Sequence, residues 1–232
     1  MIPLRDDAPR YSTPYVNYFL IGLNVLVFLF ELTLGTNEQN IFLVEFGVRP
    51  ATIVAWISGN YHISFLDVAI PMLTSMFLHG GWAHLIFNMW ALWIFGDNVE
   101  DHLGHLPYLG FYMACGILAE LVHTVFNFQS MVPSVGASGA IAGVMGAYFL
   151  LYPSARVLTW IPFFFIFVTW LPAWIILGYW FVVQFLSGAA NTITASGHNV
   201  GGVAFWAHVG GFLSGLLLIK LLPARPQRFS YE

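Results

Sequence analysis

The chain has 232 residues, of which 59% are hydrophobic, 18% aromatic and only 8% charged. A soluble domain carries about 25% charged residues, so this composition excludes a water-dispersed globule, and apolar runs near the roughly 20 residues needed to cross a bilayer recur along it. Seven Lys and Arg against eleven Asp and Glu exclude a nucleic-acid surface, and a single cysteine, Cys115, excludes an internal disulfide or a cysteine-based metal cluster.

In chain order, the start "MIPLRDDAPRYSTPY" lacks the basic stretch followed at once by an apolar core that marks a cleaved signal. This predicts a short tail over 1–14 and a retained first span. Six spans are predicted at roughly 15–34, 70–95, 107–127, 137–152, 172–188 and 204–222, with a second tail over 223–232. The breaks between them are "GTNEQN", "GDNVEDHLGH", "NFQSMVPSVG", "YPSAR" and "GAANTITASGHNVGG". The connection of about 35 residues after the first span is too long to stay structureless, and its amphipathic "VRPATIVAWISGNYHISFLDVAI" is assigned to the membrane interface. The stretch 153–171, "PSARVLTWIPFFFIFVTWL", is rich in proline, β-branched and aromatic residues. It reads as a short hydrophobic hairpin or interfacial loop rather than a continuous helix. The fold class expected is an all-α polytopic membrane protein.

Six spans put both termini on one side, with Arg5, Arg10, Arg156, Lys220, Arg225 and Arg228, and leave only Arg49 on the other. The positive-inside rule makes the termini cytoplasmic. The fourth span then starts near the outer face. At about 16 residues it covers only ~24 Å of a ~30 Å core, which puts Ser138, at its first turn, in a submerged, wet pocket opening outward.

Polar groups inside spans are costly and point to function. The second span carries His79, His84 and Asn88, the last two on one helix face. The fourth carries Ser138 and the sixth His208. A serine hydroxyl becomes a nucleophile when a histidine takes its proton, and Ser138 and His208 begin their helices at similar depth. Gly139 and Gly143 form one small-xxx-small row and Ala207, Gly211 and Gly215 another, so helices four and six can meet backbone to backbone. The Ser138 amide, with His84 and Asn88, supplies donors for a developing oxyanion.

Each feature also has a structural reading. Serines in membrane helices bond back to the preceding turn, small-xxx-small rows pack helices, and helix-end histidines sit at interfaces. The last reading is adopted for His62, His102, His105, His123 and His198, and Cys115 is read as a small packing residue. Other chemistries fit worse: no H-E-x-x-H is present, the mid-span acids are only Glu31 and Glu120, and His79 with His84 makes a poor metal pair. No metal or cofactor is expected. Glu120 reads as a protonated or hydrogen-bonded structural acid.

Four segments together resemble the rhomboid intramembrane serine proteases: "HGGWAHLIFN", "FGDNVEDHLG", "VGASGAIAGVMGAY" and "AHVGGFLSG". The resemblance runs from about residue 15 to 222. It implies a six-helix rhomboid-like bundle in which Ser138 attacks the scissile carbonyl and His208 is general base and then acid. His84, Asn88 and the Ser138 amide would form the oxyanion hole, with Gly136 and Gly139 shaping the loop and helix start. It further implies single-pass transmembrane protein substrates, cut in or beside the spanning segment, with the lipid bilayer as surroundings. One departure is Ala142, where some members carry an aromatic that stacks on the catalytic histidine; Phe205 and Trp206 are offered as supports instead. The second reading is a catalytically silent relative that binds membrane clients, and the third a transporter, which the absence of an inverted repeat disfavours. Natural substrate, gate and oligomeric state are not readable. Short tails and no further soluble domain favour a prokaryotic inner membrane.

Overall fold

A computed structural model describes residues 1–162, 166–194 and 203–225. In chain order these form β1 (Ile2–Asp6), α1 (Tyr15–Glu31), α2 (Thr36–Phe46), α3 (Pro50–Ile57), α4 (Leu66–Thr74) and a 3-10 turn (Ser75–Phe77). Then come α5 (Trp82–Leu103), α6 (His105–Phe126), α7 (Ser138–Leu151), β2 (Arg156–Pro162), β3 (Ile166–Pro172), α8 (Ala173–Thr194) and α9 (Phe205–Leu221). Helix accounts for 68% of the described residues. His105–Phe126 and Ala173–Ile193 are each long and apolar enough to cross a membrane, and shorter apolar helices include α1, α7 and α9. His198 and the end of the C-terminal tail, 226–232, lie outside the described residues.

Helix α7 is the core, buried continuously from Gly139 to Tyr148. Its neighbours approach because side chains are missing. A methyl on Gly211 would lie 2.0 Å from the Gly139 carbonyl oxygen, and one on Gly215 would lie 1.9 Å from that of Gly143. The expected meeting of helices four and six is therefore seen, with one refinement. The missing side chains of Gly139 and Gly143 face α6, 2.8 Å from Ala119 Cβ and 2.4 Å from Cys115 Cβ. Cys115 is thus a buried packing residue beneath Gly143. The core is apolar, yet it also holds Asn17, Asn24, Glu31, Asn88 and Glu120, while Leu26, Phe87, Trp93, Leu186 and Leu217 stay exposed, an apolar outer surface of the kind lipid-facing helices present.

Three expectations are corrected. The chain is not all-α: β1, β2 and β3 form an antiparallel sheet in that order. The hairpin expected over 153–171 is present as β2–β3, from Arg156 opposite Pro172 to Pro162 opposite Ile166, and its β-branched and aromatic residues explain why. The third strand comes from the N-terminal segment, whose five-residue stretch has no periodicity to announce it. Next, the second span does not run from 70. Gly81, at φ +157°, precedes a new helix start at Trp82, so His79 lies in a loop before α5. Lastly, the break expected over "GDNVEDHLGH" narrows to Gly104 between α5 and α6; its acids end α5 and clamp the N-terminal segment. Glu100 accepts the amides of Val16 and Asn17 at 3.0 and 2.7 Å, capping α1, while Asp97 pairs with Arg10 at 3.0 Å and Asp101 takes the Ser12 hydroxyl.

The Arg156 amide and then its guanidinium, each 2.7 Å from Asp7, hold that carboxylate below its ordinary range. A depressed folded value means the tether is complete above about pH 4 and is lost as pH falls through the depressed value. Amide protection of β1 is therefore expected to contain an acid-sensitive component below about pH 4 that Asp7→Asn removes. Hydrogen exchange showing the same acid loss in both proteins would contradict this.

Candidate active site

Ser138 is the first residue of α7, delivered there by a pinned loop. Val48 and Ser134 exchange backbone hydrogen bonds at 3.0 and 2.7 Å, and the Gly136 amide donates to the Ser75 carbonyl at 2.9 Å. Gly136 has φ +126°, a conformation that needs glycine. The first α-helical bond of α7 runs from the Ile141 amide to the Ala137 carbonyl, so the Ser138 amide lies ahead of the ladder, at the helix N-terminus.

His208 reaches this point from the first turn of α9. Its Nε2 is 2.8 Å from Ser138 Oγ, and its Nδ1 is 2.7 Å from Oε1 of Gln184 on α8. An amide oxygen only accepts, so the Nδ1–H donates to Gln184 and Nε2 is left to accept the Ser138 hydroxyl proton. Trp180, one turn before Gln184, lies against the His208 ring with centroids 5.6 Å apart and planes at 35°.

These contacts replace the supports expected from Phe205 and Trp206. Trp206 instead stacks on Phe126, centroids 3.7 Å apart, and donates its Nε1–H to Thr192. Ala142, the departure from the family pattern, lies beside α9, its Cβ 3.2 Å from where a Gly211 methyl would be. Trp180 instead provides a ring to His208 from α8. Gln184 was passed over in the sequence; the one signal for it was its place as the single amide within 173–188, since polar groups inside spans are costly.

His84 and Asn88, in the first turns of α5, flank the loop before Ser138. A methyl on Gly136 would lie 2.6 Å from His84 Nε2 and 3.7 Å from Asn88 Nδ2. Asn88 is held by His79, its Nδ2 donating to His79 Nε2 at 3.0 Å, and the His79 amide donates to Glu31 Oε1 at 3.2 Å. The His79 ring meets His84 edge-on at 5.1 Å. Thus His79, dismissed as a metal ligand, supports Asn88 from a loop. Among the described residues no group of three His, Cys, Asp or Glu is arranged to hold a metal. Glu120 accepts the Ser134 hydroxyl at 2.9 Å, a hydrogen-bonded structural acid bracing the loop that leads to Ser138. His102, His105 and His123 lie at helix ends.

A Rhomboid domain profile matches residues 66–225, more than half of the chain. The chain belongs to the rhomboid family. This rhomboid is 40% identical over 141 residues to rhomboid protease GluP of Bacillus subtilis, covering 60% of this chain and 24% of that protein. It is 32% identical over 196 residues to the mitochondrial rhomboid protein 1 of Saccharomyces cerevisiae, covering 78% and 53%. It is 29% identical over 206 residues to the human mitochondrial presenilin-associated rhomboid-like protein, covering 85% and 45%. The chain therefore spans from about a quarter to about half the length of these relatives. Rhomboids are membrane proteins acting on transmembrane substrates, and they include intramembrane serine proteases as well as inactive members. With relatives from a bacterium and from mitochondria, the expectation of a prokaryotic inner membrane is not supported.

Proposed function

We propose that this rhomboid is an intramembrane serine endopeptidase with a Ser138–His208 dyad. The observation that carries the reading is the 2.8 Å contact between Ser138 Oγ and His208 Nε2, made in the productive sense by the Nδ1–H bond to Gln184. His208 Nε2 takes the hydroxyl proton as Oγ attacks the scissile carbonyl. The Ser138 amide with the side chains of Asn88 and His84 receives the negative charge on the carbonyl oxygen. His208 then protonates the leaving amine, and water hydrolyses the acyl-enzyme by the same base.

In this reading α1 and α5–α9 are six spans, with α2–α4 forming the connection on the outer side. Ser138, His208, His84 and Asn88 share one end of the bundle. Arg5, Arg10, Arg156, Lys220 and Arg225 belong to the other, where the Arg225 amide bonds the His102 carbonyl. The positive end faces the cytoplasm or its organellar equivalent. At 14 residues α7 is about 21 Å long, shorter than the ~30 Å core, which sinks Ser138 below the outer surface. Single-pass membrane proteins are the substrates, and the bond cut lies in or beside their spans. No cofactor is required by this chemistry.

The test is cleavage of a single-pass reporter in liposomes holding the purified protein. Specific cleavage is expected, and Asn88→Ala should lower kcat by roughly 10²–10³-fold, the usual worth of one oxyanion donor. A folded protein that cuts no such reporter favours the silent client-binding relative, and Asn88→Ala at full rate removes Asn88 from the oxyanion hole.

A further inference from the structure

We propose that Gln184 is the positioning residue of the dyad, selecting the tautomer of His208 and aiming its Nε2 at Ser138. The inference rests on the protease reading of Ser138 and His208. A histidine base must present an unprotonated Nε2 to the serine, so Nδ1 must carry the proton and have an acceptor. In Ser-His-Asp enzymes a buried carboxylate does this. Here that place is taken by Oε1 of Gln184, 2.7 Å from Nδ1, on a side chain only 8% exposed.

The choice of an amide suits the surroundings. A carboxylate sunk in a bilayer is costly unless paired, and a neutral amide supplies the same acceptor oxygen without that cost. When His208 becomes cationic during attack, the Nδ1–H···Oε1 bond becomes charge-assisted and strengthens. The stabilisation is therefore greater in the transition state than in the resting enzyme, which is what raises kcat. Trp180 and Gln184 are four residues apart and share one face of α8. One places a ring against His208 and the other holds its Nδ1. Position 142, an alanine, offers no ring to His208, and α8 supplies both contacts.

The experiment compares Gln184→Met, similar in length but without an oxygen acceptor, with Gln184→Glu, which keeps one. Three quantities are read: kcat and KM on the liposome reporter, thermal midpoint, and the ¹⁵N ring signals of His208. The wild-type protein is expected to show a single Nδ1–H tautomer. Gln184→Met should lower kcat at least about tenfold, the usual scale for a residue that orients a functional ligand, with KM and thermal midpoint little changed and the ring signals mixed between tautomers. Gln184→Glu should restore both the single tautomer and most of kcat. A wild-type ring protonated on Nε2 would overturn the inference. So would a Gln184→Met protein that keeps kcat, or one that loses kcat with an unaltered tautomer. Should Gln184→Met not fold, the wild-type spectrum and Gln184→Glu still decide. If the protein proves catalytically silent, the protease reading fails by the absence of turnover, while the tautomer measurement continues to judge Gln184.

Discussion

Ser138→Ala is expected to abolish cleavage of a transmembrane substrate, by roughly 10⁴–10⁶-fold as in soluble serine enzymes, and His208→Ala to do nearly the same. The two residues act as one unit across a 2.8 Å contact, so neither retains function when the other is gone. The double variant should therefore fall no further than either single one. Folding should be unaffected, because Ser138 sits at a helix end rather than inside the α7–α9 crossing. Cleavage assays with a matched thermal midpoint check this. A Ser138→Ala protein within tenfold of the parent would remove the nucleophile assignment, and additive losses would separate the pair.

Gly215→Ala is expected to damage both stability and rate. Its new methyl would meet the Gly143 carbonyl oxygen at 1.9 Å, and backbone cannot swing aside as a side chain does. The helices must part by more than about 1 Å to restore ordinary contact. Overpacking of this kind costs about 1–3 kcal/mol. The same crossing carries Ser138 on α7 and His208 on α9, and a displacement of about 1 Å at reacting groups costs on the order of 10²-fold in rate. Gly22→Ala and Gly110→Ala, with open space at the new methyl in both cases, should be neutral or up to about 1 kcal/mol stabilising. Thermal unfolding in detergent and the liposome assay distinguish these outcomes. A Gly215→Ala protein that matches the Gly22→Ala control would contradict the close-packed crossing.

The residues that meet at Ser138 were legible because chemistry forces them to stand out. A serine, two histidines and an asparagine interrupt apolar segments where polar atoms are expensive, and glycines recur at the spacing of one helix face. What escaped notice lacked such contrast. Gln184 is one of two amides in an aromatic-rich helix, and its value depends on α8 lying beside α9, a tertiary fact. His79 was visible but misplaced, because the apolar run hides the break at Gly80–Gly81 that sets it in a loop. The sheet is half-legible for the same reason. The hairpin announces itself in 153–171, whereas β1 depends on tertiary contacts, Arg156 with Asp7 among them, that bring the N-terminal segment to an open strand edge. The segment "GDNVEDHLGH" read only as a break between spans, yet Glu100 is buried in it because the free amides of α1 need an acceptor.

The most direct test of the dyad is covalent labelling of Ser138 by a fluorophosphonate probe in the detergent-solubilised protein, with Ser138→Ala and His208→Ala alongside. Labelling of the parent chain at Ser138 is expected, and none in either variant. Labelling that survives in His208→Ala, or that maps to a residue other than Ser138, would contradict the dyad.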